Sequence, residues 1–169
     1  MARRFSFGSW GLLLAIFAAC YWGVIVLPDA NEQRQSHLKM LAATTEALQK
    51  TVIYSHFKYF TATSGKGVKL NGLVLDGKGL DYNEYGFPVG TEHTPDSLSL
   101  PVTAQHCRDL WNALLVTMQP MLVPAPSGVL EVKAYVGSCI FRSIQYPNMA
   151  IVYNTQRGSV QFMVAEPEN

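Results

Sequence analysis

The residues able to do chemistry are few and scattered. Cysteines stand at 20, 107 and 139, and histidines at 37, 56, 93 and 106. Oxygen donors gather loosely at Asp76, Asp81, Asn83 and Glu84. Neither Cys107 nor Cys139 has CxxC spacing, which argues against a redox motif or a thiolate zinc site. His106 adjoins Cys107, but neighbouring residues of a helix do not face each other, so the imidazole is not placed to activate the thiol. The chain carries no HExxH, no GxSxG and no glycine-rich phosphate loop. No enzyme, no catalytic residue and no cofactor is expected. The four donors between Asp76 and Glu84 are weak calcium candidates that do not follow the EF-hand pattern. Turn residues making Asx-type hydrogen bonds explain them better, and Thr91-Glu92-His93 reads as solvated loop.

What positions these residues begins with an anchor. No Asp, Glu, Lys or Arg occurs between Arg4 and Asp29, and Phe5 to Leu27 is apolar enough and long enough to cross a bilayer. A cleavable signal peptide has a shorter apolar region, whereas this one continues past Ala18-Ala19 through Trp22 to Leu27. Trp10 and Trp22 fall near the two headgroup levels. Arg3 and Arg4 precede the span, so the positive-inside rule places the N-terminus in the cytoplasm and the rest outside it. The expected division is an anchor over 1–28 and an exported domain over 29–169.

Composition agrees. Charged residues make up 15% of the chain, against about 25% in ordinary globular domains. A net charge of +1 offers no basic footprint for nucleic acid. Cys107 and Cys139 lie in the exported part, where an oxidising compartment favours their pairing. The closed loop of about 31 residues would be worth roughly 3 kcal/mol on the chain-entropy model.

Beyond Pro28, apolar or small residues recur at Leu38, Leu41, Thr45, Leu48, Val52, Ser55 and Tyr59, with Ala42, Ala47 and Ile53 widening the stripe. The spacing predicts one amphipathic helix over 30–62 that continues the span. The stripe beyond about Ala47 is expected to bury against the chain's own sheet. Nearer the membrane, Leu38, Leu41 and Thr45 are expected to face a partner. Asn71-Gly72 is the strongest hairpin signal, with a further turn at Asp76–Gly79. A short strand follows over Asp81–Gly86, and Phe87–Leu100 reads as surface loop. Thr103 is a good N-cap for a second helix whose core face is Cys107, Leu110, Trp111, Leu114 and Leu115. Strands are expected over Val129–Val136, Cys139–Ile144, Ala150–Tyr153 and Ser159–Val164, the first two joined at Gly137-Ser138. The fold class is α+β: a long N-terminal helix, transmembrane and then amphipathic, packed on an antiparallel meander with one short extra helix.

The stretch ALQKTVIYSHFKYFTATSGKGVKLNGLVLDGKGLDYNEYGFPVGT resembles the region after the helix in type IV pilin-like proteins of the mannose-sensitive haemagglutinin (MSHA) pilus system. The later pattern Cys107…Leu110-Trp111-Asn112-Ala113-Leu114-Leu115, then Gly137-Ser138-Cys139-Ile140-Phe141, then Ile151-Val152-Tyr153…Gly158-Ser159-Val160 is similar to the same group. The likeness covers about residues 46–164. It implies a pilin-like fold with pilin subunits or pilus assembly proteins as partners. The leader departs from the family. Aligned on Phe5, Arg4 stands where prepilins carry the glycine before the cleavage point, and Ser9 where they carry a glutamate. A side chain at Arg4 obstructs the peptidase, and Ser9 cannot neutralise a neighbouring subunit's amine within lipid.

The function expected is therefore a non-enzymatic, single-pass inner-membrane component of pilus biogenesis, working by protein–protein contact. One alternative is a minor pilin, or a type II secretion pseudopilin, incorporated in the fibre. Another is a periplasmic binding module that holds a ligand with loop 87–100.

Overall fold

The computed structural model describes residues 16–17, 30–75, 78–93, 102–116 and 128–165. The chain divides into two compact units, 1–37 and 38–169. In the first, Ile16 and Phe17 are helical and exposed. The rest of the expected span, with Phe5, Trp10, Trp22 and Leu27, lies outside the described residues, as do Arg4 and Ser9. Among the described residues no helix is long and apolar enough to cross a membrane.

Helix α1 runs from Ala30 to Thr63, 34 residues or about 51 Å of helix. It stops where the sequence turns to glycine. Ser64 and Gly65 take left-handed φ values of 52° and 76°, and the Gly65 N–H returns to the Phe60 carbonyl at 3.1 Å. Leu41, Thr44, Leu48, Thr51, Val52, Ser55, Tyr59 and Thr63 are buried at spacings that keep them on one side. Polar residues survive there because each hydroxyl bonds back along the helix. Thr44 donates to the Met40 carbonyl, Thr51 to Ala47, Ser55 to Val52 and Thr63 to Tyr59.

Two expectations for this helix are corrected. Leu41, expected to face a partner, is buried in the chain's own core, with Leu38 partly buried against it. Thr45 is half-buried and turns its hydroxyl onto the Leu41 carbonyl. Ile53, expected to widen the buried stripe, points to solvent, as does Ala42.

After α1 comes a three-stranded antiparallel sheet of β1 (Leu70–Leu75), β2 (Lys78–Tyr82) and β3 (Pro88–Gly90). Asn71-Gly72 does not form the hairpin turn. The pairing steps from Leu70 opposite Tyr82 to Leu73 opposite Leu80, so Asn71 and Gly72 form a bulge within β1. The hairpin closes between Leu75 and Lys78 instead. An Asn-Gly pair makes a turn only when its flanks can pair with each other, and here they pair with β2. The expected strand over Asp81–Gly86 is correspondingly shifted towards the N-terminus. The expected surface loop over 87–100 contains β3, all three residues of which are buried.

Helix α2 (Ala104–Trp111) begins at Thr103, whose side chain accepts the His106 N–H while His106 Nδ1 accepts the Thr103 N–H. This is a capping box with histidine in the place usually held by glutamate. One π-helical turn over Asn112–Val116 follows. Cys107, Leu110, Trp111, Leu114 and Leu115 are all buried, as their spacing predicts.

The second sheet is a four-stranded antiparallel meander of β4 (Leu130–Tyr135), β5 (Ser138–Ser143), β6 (Met149–Asn154) and β7 (Ser159–Val164), in that order. Its buried face alternates through Leu130, Cys139, Phe141, Ser143, Met149, Ile151 and Tyr153. The first hairpin turn is Val136-Gly137, one residue earlier than expected, because Tyr135 pairs with Ser138. Cys107 is bonded to Cys139, fastening α2 to β5, and Trp111 packs on Phe141 with ring centroids 4.5 Å apart. This unit is α+β, a long helix packed on antiparallel sheets, with one core lined by α1, α2 and the inner face of the meander.

Candidate functional site

The β1 bulge assembles the most concentrated polar chemistry among the described residues. Gly72, with φ of 71°, turns its N–H onto Asp81 Oδ1 at 2.8 Å. Asp81 is fully buried, and its carboxylate also accepts the His93 N–H at 2.8 Å and the His93 ring at Nδ1, again at 2.8 Å. A carboxylate only accepts, so the ring nitrogen facing it, Nδ1, is the one that donates. The ring lies on a floor of glycine. A Cβ on Gly79 would stand 2.6 Å from its Cε1 and Nε2, and one on Gly72 would touch it at 3.5 Å. His93 itself adopts a left-handed φ of 58°, which the Asp81 bonds hold in place.

A cleft of about 330 Å³ opens beside this pair, lined by Gly79, Thr91, His93, Asp109, Asn112 and Ala113. It offers an imidazole, a hydroxyl, an amide and a carboxylate over a small apolar floor. Gln105 Nε2 donates to Asp109 Oδ1 at 2.9 Å and orients that carboxylate. Glu92 reaches His106 Nε2 at 3.3 Å, so successive residues tie the end of β3 to the β1–β2 hairpin and to the start of α2. A polar set of this kind suits a small neutral ligand recognised by hydrogen bonds.

The three calcium candidates among the described residues do not converge. Asp81 spends both oxygens on Gly72 and His93. Asn83 Oδ1 accepts the Tyr85 and Phe87 N–H groups at 3.1 and 2.9 Å, and its Nδ2 donates to the Thr155 carbonyl at 2.8 Å. Glu84 is exposed and engages Tyr59 through its main-chain carbonyl at 3.0 Å. Asp76 lies outside the described residues. Among the described residues no group of three His, Cys, Asp or Glu side chains is placed to hold a metal.

The second candidate is a surface. On the solvent side of α1, Ile53, Phe57 and Phe60 recur at i, i+4 and i+7 and are 57%, 68% and 43% exposed. Tyr54 flanks them with Lys58 over its ring, 5.6 Å from the centroid. The opposite side of the same turns holds Val52, Ser55 and Tyr59 in the core. The C-terminal half of α1 is thus apolar on both sides, a pattern proper to a helix covered twice. Between the two faces, His56 stacks on Phe87 at 4.3 Å and its Nδ1 lies 2.8 Å from the Gly86 carbonyl. Burial holds the Tyr82 phenol up at about 12, with the Ser55 hydroxyl pulling weakly the other way. The Tyr153 phenol is raised further by complete burial and by Tyr82 beside it.

Sequence reasoning misses the Asp81–His93 pair and the outer face of α1. No spacing motif joins residues 81 and 93, and the one trace of the pair is glycine at both 72 and 79. The outer face is legible in the 4–3 spacing of Ile53, Phe57 and Phe60. It stays hidden when Ile53 is counted with the inner stripe. No protein-family model, no curated protein and no solved structure matches this chain.

Proposed function

We propose that the chain is a non-enzymatic, membrane-anchored component of a type IV pilus machine of the MSHA kind, acting by protein–protein contact with pilins or assembly proteins. The observation that carries this reading is the doubly apolar C-terminal half of α1. One side is the spine of an antiparallel meander, and the other presents Ile53, Phe57 and Phe60 to an outside partner. The order of elements supports it: long helix, small sheet, disulfide-fastened short helix, then a four-stranded meander, as in a pilin-like design. The uncharged run from Phe5 to Leu27 supports an inner-membrane anchor with the domain in the periplasm, and Arg4 and Ser9 support an unprocessed leader.

The test is genetic and biochemical together, in a pilus-bearing host. Loss of the chain should impair pilus assembly while the intact chain fractionates with the inner membrane. Ile53→Glu and Phe57→Glu should reproduce the defect at normal protein level. A mature N-terminus at Phe5, found by mass spectrometry, would instead make the chain a minor pilin or pseudopilin of the fibre. Normal piliation without the chain would end both readings.

The cleft beside His93 favours one second reading, a periplasmic binding module. Thr91 and His93 belong to the segment 87–100 from which such a module would hold its ligand. Thermal-shift screening of small neutral polar compounds separates the two, since His93→Ala would abolish a shift and leave pilus assembly intact.

A further inference from the structure

We propose that β4 is a self-pairing edge: a second copy of this chain adds its own β4 antiparallel, Val132 opposite Val132, and joins two four-stranded sheets into one. The direction of the backbone groups comes first. The Ile144 N–H donates to the Val129 carbonyl at 3.0 Å, and Tyr135 pairs with Ser138 across a two-residue turn. Residues 129, 131, 133 and 135 therefore aim their N–H and C=O groups at β5. Leu130, Val132 and Ala134 aim theirs outward. Among the described residues nothing pairs with that outward row.

The other edge of the meander is different. On β7 the outward N–H of Val160 is taken by Gln49, and the Gly158 carbonyl accepts from the same side chain. Helix α1 thus occupies the start of one edge, while among the described residues no main-chain partner meets the outward row of β4.

The register then decides the occupant. With Val132 facing itself, Leu130 falls opposite Ala134 of the second copy and about six main-chain hydrogen bonds form. Glu131 falls opposite Lys133, and Lys133 opposite Glu131, so both charged pairs are complementary. Within one chain the same two side chains already sit 2.9 Å apart on the solvent side, about half exposed, so neither charge is buried by the pairing. Tyr135, 71% exposed at the hairpin tip, falls opposite Val129. Each facing pair along the strand is matched, which a foreign strand of arbitrary sequence would not achieve. The proposal does not rest on the pilus reading: the two-fold axis of an antiparallel pair is normal to the sheet and reverses α1 between the copies, so this dimer and two anchors in one bilayer exclude each other.

The experiment is sedimentation of the full-length chain in detergent micelles, with carbodiimide coupling of a mixture of isotopically light and heavy protein. A reversible dimer is expected, with a light–heavy peptide joining Glu131 to Lys133. Glu131→Lys and Lys133→Glu should each weaken the dimer about tenfold or more, because each puts like charges opposite one another twice. The double variant, with the charges exchanged, should return to within about threefold of the parent. Glu131→Gln and Lys133→Gln give a smaller loss and serve if a charge reversal prevents folding. A monomer, a dimer indifferent to all these changes, absence of the light–heavy peptide, or a double variant as weak as the singles would each overturn the proposal.

Discussion

Gln49 of α1 is hydrogen-bonded to the main chain of β7 at Val160. Its Oε1 accepts the Val160 N–H at 2.7 Å, and its Nε2 donates to the Gly158 carbonyl at 3.2 Å. A side-chain amide presents a donor and an acceptor in the same sense as a peptide group, so the helix supplies a fragment of strand to an open edge. Gln49→Ala should therefore cost about 1–2 kcal/mol, measured by urea unfolding, because two main-chain groups lose their partner together. Gln49→Glu keeps the acceptor for Val160 and loses the donor to Gly158, and should fall below the parent.

The Asp81–His93 pair gives a sharper case. Asp81→Asn should cost about 2–4 kcal/mol, since a buried acceptor of three bonds is replaced by a group that can satisfy them only in part. Gly79→Ala should destabilise by about 1–3 kcal/mol, because its methyl would stand 2.6 Å from the imidazole. Both changes unseat the same ring, so the double variant should cost less than the sum of the singles. Additive costs would show that the ring is not what couples the two positions.

Val136 is a poor residue for its place. It sits at φ of 38° in the β4–β5 turn, next to Gly137 at 73°, and is 72% exposed. A left-handed conformation costs a β-branched residue about 1–2 kcal/mol, whereas asparagine enters it readily. Val136→Asn should raise the thermal midpoint and add about 1 kcal/mol to stability, since the exposed valine side chain contributes little packing to give up. Val136→Ile should give no gain.

Alkaline pH should unfold the protein through its buried phenols. In the unfolded chain a tyrosine loses its proton near its ordinary value of about 10, whereas Tyr82 holds it to about 12. The folded state then binds more protons than the unfolded state between those values, so stability falls as pH rises through that window. Tyr153, raised by full burial and by Tyr82, adds to the same fall. Tyr82→Phe should flatten the decline. At neutral pH it should cost little, because among the described residues the buried Tyr82 phenol oxygen finds no hydrogen bond of good geometry. A decline as steep in Tyr82→Phe as in the parent would assign it to other groups.

Much of the candidate machinery is beyond sequence reading for identifiable reasons. Asp81 and His93 meet because a bulge at Gly72 moves one N–H into place and because β3 returns alongside β2. Both are consequences of strand pairing that no local pattern states. Asn71-Gly72 has the turn chemistry, but the flanking residues find better partners in β2. Leu41 reads as available to a partner because it lies on the stretch of α1 nearest the expected anchor, for which the strand pattern leaves no sheet residues to spare, while its neighbours in space are the chain's own core.

Local order alone determined the parts whose free energy is local. The extent of α1, the cap at Thr103, the buried face of α2 and the alternation of the four C-terminal strands follow from periodicity and capping chemistry, and the pairing of Cys107 with Cys139 from their being the two cysteines beyond the apolar N-terminal run. Tertiary structure decided which side of α1 is covered, which sheet edge Gln49 closes, where the bulge falls and which histidine meets a buried carboxylate. Those depend on atoms far apart along the chain, whose meeting is settled by burial and hydrogen-bond satisfaction of the whole core and not by any one segment's preference.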